Sequence, residues 1–510
     1  MSQQDWTASI QEFQEMTRKF YAKEISVKDY KGFSGFFGSY AQRGGNASML
    51  RLRMAGGQLT KERLAFLTSS IRTHQINKVH FTTCQTVQLH NLDEKAVCAL
   101  VPAALDHGII VLGGGGDFPR NVMASPLSGV EQGEYFDVLP CVQKAADYLL
   151  SLLGNIKMPR KLKVGFSNSP ANATHATFRD LGFAARPDGT FDVYAAGGLG
   201  NNPRMGLKVA EGVQPSKILY YIQAMVDTFL AHGNYENRAK ARTRYMQESL
   251  GEEGFRQAFG EKLQAVLEMG NLDVAIEPQP VQKTGSGELA GPRVLAQKQP
   301  GLYAVQWHPI GGSPAPEQLI ALEETIRDMD QVEVRLAPDE TAYIINLTAA
   351  EAEKVLAVTE GGAKTLFERS VACIGASICQ VGARDSQSLM ERLVEMAREK
   401  GFADGVLPCI HISGCTSSCG THQIGALGFH GGVKSMDGKP QPAFTLHIGG
   451  KDGQGQEQFG TVTGVILEQD IPGFLADLGE LVQSAGTTYD VWIKDHKKDL
   501  LALANNKYLV

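Results

Sequence analysis

The chain has 510 residues, too many for one hydrophobic core, and its 43% hydrophobic and 20% charged content is that of an ordinary globular protein of roughly two to four domains. A net charge of −6 argues against nucleic acid as the main partner, because binding phosphate backbones needs a basic footprint. The polar, acid-bearing residues 1–17 do not read as a secretory signal, no apolar run is long enough to span a membrane, and the eight cysteines suit a reducing compartment, so cytoplasm is the expectation.

Residues 49–53 alternate with the period of a strand, which puts Arg51 and Arg53 on one face. Two arginines in an apolar strand are costly unless they are paired or face an anion. Gly56 and Gly57 then open a predicted helix whose Leu64, Leu67 and Ile71 share a face, and a strand pair follows, ending at Leu92. The apolar stretch 96–112, broken by Asp106 and His107, runs into four glycines at 113–116, with Arg120 in the loop beyond. A plain glycine run is weak as a dinucleotide motif, and no nucleotide fingerprint occurs in a convincing strand–turn–helix context. Lys161 and Lys163 alternate along a further strand. Each cation alone reads as a surface charge or half of a salt bridge. Together, Arg51, Arg120, Lys161 and Lys163 suit a small oxyanion or a cofactor rich in carboxylates.

Residues 216–269 are predicted mostly helical, and their basic stretch 234–244 reads as a solvated face. Residues 276–301, rich in Pro, Gly, Gln and Lys, read as a linker. Beyond it the chain repeats itself. Leu64 meets Leu319, Leu67 meets Leu322, Ile71 meets Ile326, Val79 meets Val334, Asn91 meets Asn346 and Leu92 meets Leu347, always 255 residues apart. A second internal match sets residues 164–170 against 412–419, with Phe166 where Cys415 sits and Pro170 where Cys419 sits; both runs continue to Leu-Gly-Phe, at 181–183 and 427–429. The two halves then share a scaffold, and one of them carries the thiols.

Those thiols are Cys373-x5-Cys379 and Cys415-x3-Cys419. Four thiolates are the usual ligand set of an iron–sulfur cluster. The five-residue gap is wide for a zinc knuckle, although zinc and scattered buried thiols stay open as readings of the spacing. Cys84, Cys98, Cys141 and Cys409 lack such pairing and read as buried thiols.

With these motifs the chain resembles, over about residues 32–450, the sulfite and nitrite reductases that carry sirohaem coupled to a [4Fe-4S] cluster. The segment Ser413-Gly414-Cys415-Thr416-Ser417-Ser418-Cys419-Gly420 resembles the family's second cysteine motif, with Thr416 in place of a common proline. The resemblance implies an α+β, internally duplicated fold with mixed sheets and flanking helices around a central cofactor site. It implies a first ferredoxin-like half-domain at 1–110, a cysteine-free α/β domain at 111–275, a linker at 276–300, a second half-domain at 301–360 and a cluster-bearing α/β domain at 361–510. Cys373, Cys379, Cys415 and Cys419 would hold the cluster, Cys419 also bridging to the sirohaem iron. Arg51, Arg120, Lys161 and Lys163 would bind the oxyanion, and Gly197, Gly198 and Gly200 would lie beside the macrocycle. On the strand where the family often has Thr-Thr-Arg-Gln, this chain has Thr82-Thr83-Cys84-Gln85. Thr83 and Gln85 remain cofactor-side residues, and Arg53 or Arg204 is expected to make up for the missing arginine. The implied reaction is six-electron reduction of sulfite to sulfide, which the family's Lys-x-Lys pattern favours at 161–163; nitrite to ammonia on the same scaffold is the alternative, and a non-catalytic iron–sulfur protein a third reading. With no flavin or NADPH motif in the chain, electrons are expected from ferredoxin or a separate flavoprotein.

Overall fold

The computed structural model describes residues 6–510; residues 1–5 of the polar N-terminal stretch lie outside them. The strand Ser48–Arg53 buries Leu50 and Leu52 completely and turns Met49, Arg51 and Arg53 to the opposite face, as its alternation predicts. It lies in an antiparallel sheet of order Ser39–Ala41, Ser48–Arg53, Thr86–Leu92, Lys78–Phe81. The helices Lys61–His74 and Glu94–Asp106 belong to the same half. The second begins at an N-cap where Asp93 accepts from the Ala96 amide at 2.8 Å. A second sheet repeats this order with Val294–Ala296, Tyr303–Trp307, Ala342–Leu347 and Glu333–Leu336, accompanied by the helices Pro316–Ile326 and Ala349–Val358. The predicted linker is irregular up to Val294, where it becomes the edge strand of this sheet.

The two half-domains are not separate bodies. Gln58–Leu59 of the first half pairs with Glu333–Leu336 and completes the sheet of the second. Leu64, Leu67 and Ile71 share one core with Leu319, Leu322 and Ile326. The repeat is kept to single hydrogen bonds. Asn91 and Asn346 both sit at positive φ (59° and 63°), and each exchanges two bonds with a glutamine, Gln42 at 2.9 and 2.7 Å and Gln297 at 3.0 and 2.7 Å.

Each half is followed by an α/β unit of one topology. Met123–Ala124, Val164–Ser167 and Leu181–Ala185 run parallel, then Phe191–Ala195 and Leu207–Val213 antiparallel. In the second unit Val371–Ala372, Ile410–Ser413 and Leu427–Met436 are parallel, then Lys439–Ile448 and Thr461–Leu467 antiparallel. Each has its own core. The register corrects the second internal match. The Ser125 amide donates to Phe166 O, and the Cys373 amide to Ile412 O, both at 3.1 Å, so Phe166 corresponds to Ile412. Counting on from there, Ser169 and Ala173 stand where Cys415 and Cys419 stand. The sequence match lost register because it placed the displaced residues by resemblance instead of by strand pairing. Among the described residues, no helix is long and apolar enough to cross a membrane.

Candidate functional site

Parallel neighbouring strands deliver the cysteines to one place. Val371–Ala372 and Ile410–Ser413 pair in register, so the loops leaving their C-terminal ends emerge side by side, where open α/β sheets commonly bind ligands. Cys373 leaves the first strand; Cys415 and Cys419 leave the second. The Gly414 amide donates to Cys373 Sγ at 3.1 Å, and the Ser386 hydroxyl lies 3.2 Å from the same sulfur. Gly375, at φ 73°, turns the chain so that the Cys379 amide donates to its carbonyl at 2.8 Å. Gly420 is required by close approach, since a Cβ there would come within 2.1 Å of Ile412 O.

Burial pushes the Cys373 thiol up to about 12, with the Cys419 sulfur adding to the effect. The surface of Cys419 is accessible, yet surrounding atoms crowd it enough to push its thiol up, Cys379 and Cys415 adding to this while Lys161 and Lys163 oppose it. The four sulfurs thus act on one another. Four thiols brought to two adjacent loops are the usual ligand set of an iron–sulfur cluster.

The first half supplies the cations opposite. Arg51 Nη1 and Arg120 Nη1 both donate to Gly114 O, at 2.6 and 2.7 Å, and Arg120 Nη2 donates to Gly116 O at 2.8 Å. Lys161 and Lys163 flank Leu162, which is buried in the core behind them. Burial holds Lys161 well below its usual range, and Arg120, Arg242 and Lys163 depress it further. Arg120 is lowered to about 10 by burial and by Arg51. Cation faces cation here with too little negative charge between them. Buried guanidinium nitrogens of Arg120 (Nε), Arg204 (Nε), Arg242 (Nε) and Arg244 (Nη1) have no hydrogen-bond partner. Such orphaned donors are costly, and carboxylates of a polyanionic cofactor are the groups that fit them.

The glycine-rich segment lies between the cations and the cysteine loop. Gly198 (φ 152°) and Arg204 exchange two backbone bonds of 2.9 Å, and Gly200 adopts φ 109°. A Cβ on Gly200 would meet Arg244 Nη2 at 3.0 Å and Thr416 O at 4.0 Å. Gln423 Nε2 donates to Gly200 O at 2.9 Å. Thr83 Oγ1 donates to Cys419 O at 2.8 Å, tying the first half to the thiol loop.

Two expected cofactor contacts have other work. Gln85 is fully buried. Its Nε2 donates to Ala124 O (2.8 Å) and Leu336 O (2.7 Å) while its Oε1 accepts from the Ala124 amide (3.0 Å), so it braces three units and has no donor left for a cofactor. Arg53 gives its guanidinium to the carbonyls of Leu112, Pro119 and Arg120. Arg204 keeps a free donor. Cys84 is not an inert buried thiol: the nearby charges of Lys163, Arg179 and Arg51 overcome the burial effect and lower it to about 6.

Residues 234–244 do not form a uniformly solvated face. Arg242 donates to both oxygens of buried Asp180 at 3.0 and 2.8 Å, and Arg244, itself buried, donates to Asn202 O at 2.6 Å. Asp180 also accepts from the Lys163 amide at 2.9 Å. Arg179, Arg242 and Arg244 are therefore site cations that sequence reasoning missed. The alternation Arg242-Thr243-Arg244 was the available signal, of the same kind as Arg51-Leu52-Arg53.

The family model described as nitrite/sulfite reductase ferredoxin-like half domain matches residues 40–106, and that described as nitrite and sulphite reductase 4Fe-4S domain matches residues 115–267. An assimilatory ferredoxin-dependent nitrite reductase of Haloferax mediterranei is 24% identical over 92% of this chain and 85% of its own length. A ferredoxin–nitrite reductase of Synechococcus elongatus is 27% identical over 84% and 85%. A sulfite reductase [ferredoxin] 1 of Mycolicibacterium paratuberculosis is 25% identical over 86% and 83%. The solved structure of the Mycobacterium tuberculosis NirA protein shares the fold, with a TM-score of 0.80 at 23% identity over 96% of this chain and 95% of that one.

Proposed function

We propose that the chain, which belongs to the nitrite and sulphite reductase family of oxidoreductases, reduces sulfite to sulfide with six electrons, using a sirohaem coupled to an iron–sulfur cluster. The observation that carries this reading is the clustering of Arg51, Arg120, Lys161 and Lys163, which lie within electrostatic reach of one another, the two lysines also of the Cys419 sulfur. Cys373, Cys379, Cys415 and Cys419 would hold the cluster, and Cys419 would also reach the sirohaem iron. Arg204, Arg242 and Arg244, with their orphaned nitrogens, would take the macrocycle's carboxylates. When bound, the paired cofactors supply low-potential electrons singly to the oxyanion.

The protein's own part is electrostatic. Fixed cations hold an anion in a place that water no longer solvates, and they stabilise charge as S–O bonds break. Arg51 and Arg120 are fixed by Gly114 and Gly116, so little reorganisation is needed when the anion arrives. Lys161, with its pKa depressed, gives up a proton more readily than an ordinary lysine and suits the role of proton donor. A bound anion raises that pKa and so recharges the lysine. Ferredoxin is the donor we propose, in line with the ferredoxin-dependent relatives. Nitrite is the second reading, favoured by the Haloferax and Synechococcus relatives being nitrite reductases.

The test is a visible spectrum of the purified holoprotein, followed by parallel turnover of sulfite and nitrite with a chemically reduced donor. Sirohaem bands and faster sulfite turnover are expected. Cys419→Ser should lose the absorption features that depend on coupling to the cluster, and a variant with full spectrum and full turnover would overturn the bridging role.

A further inference from the structure

A histidine cluster lies just beyond the cysteine loop. His422 is three residues past Cys419; His430 lies on the strand Leu427–Met436 and His447 on its antiparallel neighbour Lys439–Ile448. Gly428 pairs with His447 and His430 with Thr445, so the two strand histidines point to one face of the sheet, away from the core residues Phe429 and Leu446. His422 reaches them because residue 428 is glycine: a Cβ there would come within 1.8 Å of His422 O. The three rings are mutually in contact, with centroids 4.8 to 5.0 Å apart.

As plain packing, this arrangement is poor. Six ring nitrogens meet, and the bond made among them is the one between His430 Nδ1 and His447 Nε2 at 2.8 Å. His422 and His447 are 1% and 5% exposed, and the Nδ1 of each has no hydrogen-bond partner. Leaving such buried atoms unmet is costly. One ring nitrogen from each histidine lies within 4.8 Å of the other two. A tetrahedral zinc ion with bonds of about 2.0–2.1 Å would hold them about 3.4 Å apart, within reach of modest side-chain rotation. Burial, reinforced by the neighbouring rings, keeps His422 (about 2) and His447 (about 4) neutral, the form that binds metal.

We propose that His422, His430 and His447 form a metal site separate from the four cysteines, taking a divalent first-row transition ion of the zinc class. Imidazole ligands suit such ions. The ion would fasten the loop that carries Cys415 and Cys419 to two strands of the sheet. Half-buried His430 leaves the site a route from solvent.

Zinc is the probe. Holoprotein treated with a chelator and then incubated with Zn²⁺ should retain one zinc per chain through gel filtration, measured by elemental analysis beside iron. His430→Gln, the substitution at the most exposed ring, should weaken zinc binding at least tenfold and leave iron content and visible spectrum unchanged. Zinc-edge X-ray absorption on the unsubstituted holoprotein should show nitrogen ligands at about 2.0–2.1 Å and no sulfur at about 2.3 Å; this holds even if a variant fails to fold. No zinc retained beyond the level of His430→Gln, or a zinc–sulfur signal, overturns the proposal and leaves a hydrated histidine cluster or occupancy of the cysteines.

Discussion

Replacing Gln85 by methionine keeps the volume of the side chain and removes all of its hydrogen-bonding groups. Three buried backbone partners lose their bonds: Ala124 O, Leu336 O and the Ala124 amide. At about 1 kcal/mol each, the low end of the cost of an unmet buried group, the loss is about 3 kcal/mol. A chain of several units need not unfold in one step, so a global midpoint is the wrong observable. Local opening is the right one. Hydrogen exchange of the peptide containing Ala124 should accelerate about a hundredfold, since about 1.4 kcal/mol corresponds to a factor of ten. Exchange around Leu336 should rise with it, because one side chain joins both. Gln85→Glu should be milder: Glu340, its counterpart in the repeat, accepts from the Ala372 amide at 3.0 Å, and burial keeps its pKa well above the ordinary range. Exchange at Ala124 within threefold of the unsubstituted protein would refute the brace.

Cys84 is an acid whose pKa is lowered, so its reactive charged form should be present above about 6 and lost below it; iodoacetamide labelling of the Cys84 peptide in cofactor-free protein should be half-maximal near that pH, far below an ordinary thiol at about 8.5. Arg244→Gln removes a buried guanidinium with an orphaned nitrogen. It should weaken cofactor retention roughly ten- to a hundredfold, read as extractable tetrapyrrole per chain at unchanged iron–sulfur content. Lys163→Asn should cut sulfite turnover by about 10²–10³ and nitrite turnover less, read as the ratio of the two kcat/KM values; an unchanged ratio would dispose of the lysine as the discriminating group. The same substitution should also raise the labelling pKa of Cys84, because Lys163 is the largest charge lowering it.

Much of the architecture was legible because it is written in local periods and fixed offsets. Arg51 and Arg53 share a face because strands alternate. The 255-residue offset carries Gly56 onto Gly311 and Asn91 onto Asn346, each pair at positive φ, because a turn of given geometry asks for the same residue twice. The close spacing within each cysteine pair is also local, and it pointed to a metal before any fold was known. Tertiary structure decided the rest. Gln85 looked like part of a cofactor motif, yet its partners Ala124 and Leu336 lie 39 and 251 residues away, beyond what any local period can express. Arg242 and Arg244 looked solvated, because a basic stretch near Asn234 has the composition of a surface; only the fold brings Asp180 against one and the glycine segment against the other. The histidines at 422, 430 and 447 have no telling spacing, since their meeting depends on the register of two antiparallel strands and on the missing side chain of Gly428. Sequence fixes what each strand presents. Which strands then face one another is set by the pairing of whole sheets, and that pairing brings the cations, thiols and imidazoles together.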